Sequence, residues 1–332
     1  MQQRLGLVLA ALLAASGCTA TPTRPPTQVA NPTASPPAQV TPAPTSCLLS
    51  SPSETAPASS TPVPSASNGP MGSVPILYQH RVVPLPQGIG TWTYTARQTF
   101  LATDTLPWSF AAQLDWLEAH GYTTILPRDL VEHWDRGVPL PARCVILTFD
   151  DGYPEWVSTV LPLLELHHMT AEFYVTLDAI ADGRLSWADV RTLAAAGMGI
   201  GAHDVHHVQL AMLGSNRPPA STAVMTYEVT EARRIIGNEL GRPPDSMAYV
   251  GGGFDAALVG IVRRAGYSTA RAIIRGVVQS PADRWTLHVS RIGVWDDVVD
   301  PTACVNDPSE ATCAIRLPLT TFPQRVSGAA PG

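Results

Sequence analysis

Short apolar runs alternate with longer amphipathic runs through most of this chain. The pattern predicts strands at 74–78, 123–126, 145–149, 171–175, 200–202, 247–250 and 268–273, and helices at 110–120, 128–136, 155–166, 187–196, 227–240 and 255–265. Repeated strand–helix units favour a parallel sheet with helices on its outside. Periodicity alone does not distinguish a closed barrel from an open, doubly wound sheet.

Two adjacent carboxylates follow one of these strands. The apolar residues 145–147 lead into the sequence TFDDG at 148–152, so Asp150 and Asp151 lie where a buried strand ends and a loop opens. His203 and His207 follow about fifty residues later, four residues apart, and could reach the same point. One Asp and two His form a three-ligand set that leaves coordination positions for water and substrate. The other Asp could accept a proton from that water, which predicts a metal-dependent hydrolase.

Each motif taken alone has a plainer explanation. An Asp-Asp pair after a strand also occurs in phosphotransferases and loop caps, and His-x-x-x-His is more often surface or core histidine. Their order and context together resemble the polysaccharide deacetylases of carbohydrate esterase family 4, whose domain is named after NodB. TFDDG matches the family's first motif, and HDVHH at 203–207 matches its second, His-(Ser/Thr)-x-x-His. The sequence between them, with AEFYV at 171–175 and LSW at 185–187, is also similar.

The resemblance extends from about residue 74 to residue 294 and carries specific expectations. It implies a single α/β catalytic domain, a distorted (β/α) barrel of about seven strands, with its active site at the carboxyl ends of the strands. It also implies that Asp151, His203 and His207 bind a divalent metal and that Asp150 is the general base. Zn²⁺ is the first choice for this ligand set, which also accepts Co²⁺, Ni²⁺ or Fe²⁺.

Further residues are assigned by the same resemblance, to the branch that deacetylates poly-N-acetylglucosamine. His80, in YQHRV at 78–82, matches a histidine that lies at the metal site there and is a candidate general acid. The four-residue spacing from the first ligand favours His207 over His206, which is expected to face elsewhere. No Leu-x-His motif near the C-terminus offers the usual acid of the family, so His80 remains the candidate.

The sequence departs from the family pattern in the second and third motifs. Asp204 replaces the usual Ser or Thr and adds negative charge near the metal. The third motif is MAYVGGGF at 247–254, nearer the poly-N-acetylglucosamine form, with Val250 where that form has Pro. It contains no Arg to hold the base, and Arg291, in RIGV at 291–294, is expected to supply that charge.

The N-terminal region predicts export. Residues 1–17 resemble a lipoprotein signal peptide, since an apolar stretch too short to span a bilayer is followed by ASGC at 15–18. We expect cleavage before Cys18, lipidation of that Cys and anchoring to the outer face of the cell membrane; ordinary secretion is the alternative. Residues 18–72 are rich in Pro, Thr and Ser, which predicts a disordered tether, and 73–332 form the deacetylase domain.

Charge and cysteines narrow the partners. The net charge of −6, without a run of Lys or Arg, argues against nucleic acid. The glycines at 251–253 lack the Lys-Ser/Thr and G-x-G-x-x-G spacing of nucleotide sites, and we expect them to let backbone approach the substrate. A monomer is expected. Cys304 and Cys313 are expected to form a disulfide and Cys144 to be a packed thiol.

Three functions stay open at this level. The first is deacetylation of N-acetylhexosamine units in an envelope or extracellular polysaccharide. The second is an O-acetyl esterase acting on xylan or another acetylated glycan, since the same water attack cleaves esters. The third is a catalytically silent glycan-binding lipoprotein, motivated by the altered third motif. A decayed site is expected to lose a ligand, and the retained Asp and His residues therefore favour the deacetylase.

Overall fold

The computed structural model describes residues 73–212, 218–294 and 321–328. The predicted signal peptide, the tether, Cys18 and the Cys304–Cys313 pair lie outside these residues. Cys144 is buried and free, as expected for a packed thiol. Within the described ranges, no helix is both long enough and apolar enough to cross a membrane.

The described residues contain eight strands, and seven of them form a closed parallel barrel. The strands in chain order are β1 (Ile76–Gln79), β2 (Thr123–Thr124), β3 (Cys144–Asp151), β4 (Glu172–Val175), β5 (Gly199–Ala202), β6 (Ser246–Ala248), β7 (Thr269–Arg275) and β8 (Leu287–Arg291). Their order is β1-β8-β7-β6-β5-β4-β3-β2, and an additional pairing of β1 with β3 closes the ring. The short β2 extends β3 outside it. The predicted barrel of about seven strands in a single α/β domain is confirmed.

Helices connect the strands. They are α1 (Tyr94–Thr103), α2 (Pro107–Ala119), α3 (Pro127–Arg136), α4 (Leu161–Leu166), α5 (Leu177–Ala181), α6 (Trp187–Ala195), α7 (Thr222–Leu240), α8 (Ala256–Ala265) and α9 (Phe322–Ser327). A π-helical turn at Trp156–Val160 leads into α4. Helix α7 begins five residues before its predicted start because Ser221 caps it, its side chain accepting from the N–H of Val224.

Strand alternation decides which side chains enter the barrel. On β3, Val145, Leu147 and Phe149 pack in the large apolar cluster, whereas Ile146 packs in a second cluster with residues of β1 and β8. Residues two apart on a strand share a face, so Asp150 lies on the side of Ile146. The sequence thereby directs one carboxylate of TFDDG into the barrel.

Glycines on β5 leave room for large polar side chains of β4. A Cβ at Gly201 would lie 2.4 Å from the ring of Tyr174, and one at Gly199 would lie 1.7 Å from a carboxylate oxygen of Glu172. Neither contact is sterically possible, so both positions require glycine. The barrel interior consequently holds a buried tyrosine and a buried glutamate instead of a purely apolar filling.

Candidate active site

Asp151, His203 and His207 converge at the carboxyl ends of β3 and β5. Asp151 Oδ1 lies 3.4 Å from His203 Nε2 and 2.9 Å from His207 Nε2. One ligand atom from each residue falls within a cluster no wider than 4.8 Å. The structure thus brings together the three residues that were predicted to bind a metal.

Neighbouring groups orient two of these side chains for a cation. His203 Nδ1 lies 2.8 Å from the carbonyl oxygen of Ala248, so Nδ1 donates the proton and Nε2 is left with a lone pair facing Asp151. Asp151 Oδ2 accepts from the Tyr153 hydroxyl at 3.0 Å, while the buried Oδ1 accepts no hydrogen bond. An unpaired carboxylate oxygen beside an imidazole lone pair fits a divalent metal.

The electrostatics of Asp151 favour its charged form. Burial by itself would raise the pKa of this carboxyl, but when the imidazoles of His203 and His207 are protonated, their hydrogen bonds and charge outweigh burial and hold the pKa well below its ordinary range. A carboxylate that stays ionised at every physiological pH is the form that binds a metal.

The backbone is strained at the ligands. Asp151, Asp204 and His207 have φ values of 81°, 62° and 48°, in a region that non-glycine residues rarely adopt. Such conformations cost of the order of 1–3 kcal/mol each and persist where the surrounding structure enforces them. The rest of the fold therefore holds the ligand loop in place.

A buried glutamate of α7 holds the loop between the two histidines. Glu228 Oε2 accepts from the backbone N–H groups of Val205 and His206, both at 2.9 Å, and Oε1 lies 2.7 Å from His206 Nδ1. His206 is therefore directed toward Glu228 and away from Asp151, as its assignment as a neighbour predicted. Sequence reasoning missed Glu228, whose only signal is a carboxylate on the buried face of a helix.

Asp204 does not behave as the sequence suggested. It is fully buried, neither of its carboxylate oxygens has a hydrogen-bond partner, and burial raises its pKa to about 8. Burial thus opposes the negative charge that was predicted for this residue near the metal.

The second carboxylate of TFDDG is held by an arginine that the sequence analysis did not identify. Arg271 of β7 donates to Asp150 Oδ2, and its guanidinium carbon lies 5.0 Å from the ring centre of Tyr78 and 5.2 Å from that of Tyr174. Asp150 Oδ1 is buried and has no hydrogen-bond partner. One oxygen is thus fixed by a cation and the other is available to accept a proton.

The expectation that Arg291 holds Asp150 is therefore wrong. Arg291 Nε donates to the Tyr78 hydroxyl at 2.6 Å, so its contact with this part of the site runs through a tyrosine. The signal for Arg271 was present in TARAIIR, since an arginine inside an apolar strand is buried only when it is paired.

His80 follows β1 at the same end of the barrel. Its Nδ1 is buried without a hydrogen-bond partner, and its carbonyl oxygen accepts from Trp156 Nε1 at 3.0 Å. Burial lowers the pKa of His80 below its ordinary value, although the charges of Asp150 and Asp151 oppose that shift. A lowered pKa makes the imidazolium a stronger acid.

These groups surround one open cavity of about 630 Å³. Cavities of this size, about 300–1,000 Å³, accommodate small ligands. Gly251 lines it, so the third motif reaches the site. The other two glycines instead pack against protein: a Cβ at Gly252 would lie 2.4 Å from the Ile273 side chain, and one at Gly253 would lie 1.9 Å from the Ala211 carbonyl oxygen. The expected close approach to substrate therefore applies to Gly251.

Residues 137–270 match the model of the family described as "Polysaccharide deacetylase". The Bacillus subtilis (strain 168) protein YxkH is 21% identical over 184 residues, which is 55% of this chain and 63% of that protein. The poly-beta-1,6-N-acetyl-D-glucosamine N-deacetylase of Escherichia coli K12 is 31% identical over 97 residues, 28% of this chain and 14% of that protein. The chain thus spans less than two thirds of either relative.

Solved structures share the fold. The deacetylase PplD of Streptococcus pyogenes, in complex with acetate, superposes with a TM-score of 0.58 at 20% identity, covering 68% of this chain and 94% of that one. IcaB from Ammonifex degensii superposes with a TM-score of 0.56 at 20% identity, covering 77% and 97%. At these identities the likeness establishes the barrel and its topology.

Proposed function

The chain carries a polysaccharide deacetylase domain, and on that premise we propose that it is a metal-dependent hydrolase that removes N-acetyl groups from N-acetylhexosamine units of an envelope or extracellular polysaccharide. The observation that carries the proposal is the state of Asp150. One of its oxygens is fixed by Arg271 and the other has no partner, and Asp150 lines the cavity that the Asp-His-His cluster also lines.

The residues divide the reaction among them. Asp151, His203 and His207 would hold the divalent metal, with Zn²⁺ as the first choice for this ligand set. A metal bound there supplies Lewis-acid activation of water and of the acetyl carbonyl.

Asp150 and His80 handle the protons. Asp150 accepts the proton of the attacking water at Oδ1, while Arg271 keeps Oδ2 in place and balances the charge. The C–N bond then breaks, His80 donates a proton to the leaving amine nitrogen, and acetate and the free amine are the products.

The choice of an amide over an ester has separate support. The Escherichia coli relative is named for N-deacetylation of poly-beta-1,6-N-acetyl-D-glucosamine. The match covers a small part of that protein, so the polymer used by this chain is proposed as a class, N-acetylhexosamine glycans. Hydrolysis of an O-acetyl ester is one of the outcomes that the acetate-release experiment below distinguishes.

The place of action is part of the proposal. Residues 1–17 act as a lipoprotein signal peptide, the lipidated Cys18 anchors the monomeric protein to the outer face of the membrane, and residues 18–72 form the tether. A Cys18→Ser variant is expected to leave the membrane fraction. Its retention there would contradict the anchor, whereas a wild-type protein found in the medium would favour secretion.

The first experiment measures acetate release by the purified protein. After chelation, zinc or cobalt is restored, and the substrates are N-acetylglucosamine oligomers and acetylated xylan. We expect metal-dependent acetate from the amide substrate and none from an Asp151→Ala control. Release from xylan alone would transfer the proposal to an O-acetyl esterase, and release from neither substrate with metal bound would favour either a different glycan substrate or the binding-protein alternative.

A further inference from the structure

A second cavity of about 430 Å³ lies next to the candidate active site and contains three arginines. Arg275, Arg291 and Arg325 line it, and among the described residues no Asp or Glu does. Its size is within the range, about 300–1,000 Å³, of cavities that bind small ligands. The like charges of Arg275 and Arg291 raise the free energy of the empty cavity and favour an anion there.

The fold places these arginines at the reactive end of the barrel. Arg275 is the last residue of β7 and Arg291 the last residue of β8, and parallel strands of a barrel end at the same rim. Arg325 comes from α9. The rim that carries Asp151 and the two histidines therefore also carries a group of cations.

Two of the three arginines have no carboxylate partner. In the described part of the chain, neither Arg275 nor Arg291 forms an ion pair with Asp or Glu, in contrast to arginines elsewhere, such as Arg81 with Glu155. Arg291 is oriented by its hydrogen bond from Nε to Tyr78, which leaves the terminal nitrogens of its guanidinium for another acceptor. The chain as a whole has a net charge of −6, so the grouping of arginines in this cavity does not follow from its overall composition.

The two cavities are contiguous. Tyr78, Ile273 and Arg291 line both the arginine cavity and the cavity that contains Asp150. A polymer whose acetyl group reaches Asp150 would consequently present its adjoining sugar to the arginines. Guanidinium groups bind carboxylates and phosphates through paired N–H donors.

We propose that Arg275, Arg291 and Arg325 form an anion subsite that binds a carboxylate or phosphate on the sugar adjoining the deacetylated N-acetylhexosamine, and that the substrate is an anionic glycan. This inference rests on the proposed function, since the anion is carried by the polymer that is deacetylated. It narrows the substrate class from N-acetylated glycans in general to acidic ones.

Kinetics on matched oligosaccharides test the subsite. The substrates are a neutral N-acetylglucosamine hexamer, a hexasaccharide that alternates N-acetylglucosamine with glucuronate, and a hexamer that carries 6-phosphate groups. We expect kcat/KM for at least one acidic substrate to exceed that of the neutral one by about tenfold or more, with an advantage that shrinks as salt screens the charges. The acidic substrate with the higher kcat/KM identifies whether the subsite binds a carboxylate or a phosphate.

Substitutions connect that preference to the cavity. Arg275→Gln and Arg325→Gln are each expected to lower kcat/KM for the preferred acidic substrate about tenfold and to leave the neutral substrate within twofold. Arg264→Gln, an exposed arginine of α8, makes the same change of charge elsewhere and is expected to have no effect. Equal kcat/KM for neutral and acidic substrates, unaffected by Arg275→Gln, would overturn the subsite.

A binding measurement separates this inference from the proposed function. Calorimetry with an Asp150→Asn protein, in which turnover is blocked, should show tighter binding of the acidic than of the neutral hexasaccharide and a loss of that difference after Arg275→Gln. Absence of acetate release from every substrate with this binding intact would reject the proposed function and keep the subsite. Arg275-dependent binding to anionic phospholipid vesicles, without a preference among the oligosaccharides, would assign the arginines to a membrane surface and overturn the inference.

Discussion

Two carboxylates in the same barrel have pKa values that are shifted in opposite directions. Burial raises the pKa of Glu172, at the start of β4, to about 7, and the hydroxyl of Ser246 is its hydrogen-bond donor. Burial acts on Asp151 in the same direction, yet contacts with His203 and His207 hold the pKa of Asp151 well below its ordinary range. Depth in the fold therefore does not decide whether a carboxyl is charged. The neighbouring side chains decide it, and the histidines at the carboxyl ends of the strands favour the charged form of Asp151.

The largest effect is expected for Asp150→Asn. The amide cannot accept a proton, so kcat should fall by about 10²–10⁴-fold with metal still bound stoichiometrically. Glu172→Gln makes the same chemical change elsewhere in the barrel interior and should keep kcat within a few fold. Acetate release and metal content of both variants check this. Equal losses in the two variants would break the contrast between the two ends of the barrel.

Arg271→Met tests whether the cation holds the base in place. A buried carboxylate loses its partner, so the free energy of unfolding should fall by about 3–5 kcal/mol in urea titrations. Asp150 Oδ2 also loses the donor that fixes it, so kcat should fall as well. Arg271→Lys, which keeps the charge, should restore part of both. A lower stability with an unchanged kcat would reduce Arg271 to a packing role.

Glu172→Gln also tests whether the pKa of Glu172 is raised in the folded protein, through the pH dependence of stability. A folded-state pKa of about 7, against an ordinary value of 4.5, means that the folded protein retains a proton that the unfolded chain has lost. The stabilisation is therefore complete below about pH 4.5 and is lost as pH rises toward 7, by roughly 3 kcal/mol.

The variant should remove that slope. We expect the difference in unfolding free energy between wild type and Glu172→Gln to change by that amount between pH 4.5 and pH 7.5. Glu165→Gln, at an exposed position of α4, is the control and should leave the slope in place. A difference that is constant with pH would show that Glu172 is ionised in the folded protein.

The smallest effect is expected at Glu228, a third buried carboxylate. Unlike Asp151, it accepts from two backbone N–H groups in addition to its contact with a histidine. Glu228→Gln keeps one acceptor oxygen and loses the other, so the ligand loop should be held less firmly and metal affinity should fall about 10–100-fold. Competition with a chelator measures this. Glu231→Gln, on the same helix but paired with Arg234 instead of the ligand loop, should bind metal like wild type. Equal affinities in both variants would remove Glu228 from the site.

The sequence predicted the fold where strands and helices are regular. The barrel was expected from its resemblance to a known family; the model of that family matches residues 137–270, and the solved structures confirm the fold. Helix α1, by contrast, was not predicted, because its residues YTARQTFLAT show no apolar stripe. Local patterning cannot identify an element of that kind.

The site was predictable residue by residue to the extent that motifs are contiguous. TFDDG and HDVHH gave four site positions, Asp150, Asp151, His203 and His207. The structure brings Asp151, His203 and His207 together as expected. Arg271 and Glu228 lie 121 and 22 residues from the groups they contact, and only the folded barrel brings them there. Partners that arise from topology leave no mark at the motif itself.

The barrel closes between its first strand and its last, so the ring is complete only after both ends of the barrel sequence have been made. Strand β1 is made first, yet it pairs with β8, and the bond between Arg291 and Tyr78 joins residues 213 positions apart. Contacts of such long range form slowly, since loop closure precedes any gain from pairing. His80 directly follows β1, so in a nascent chain that lacks β8 the strand before this candidate acid has only β3 as a partner among the barrel strands.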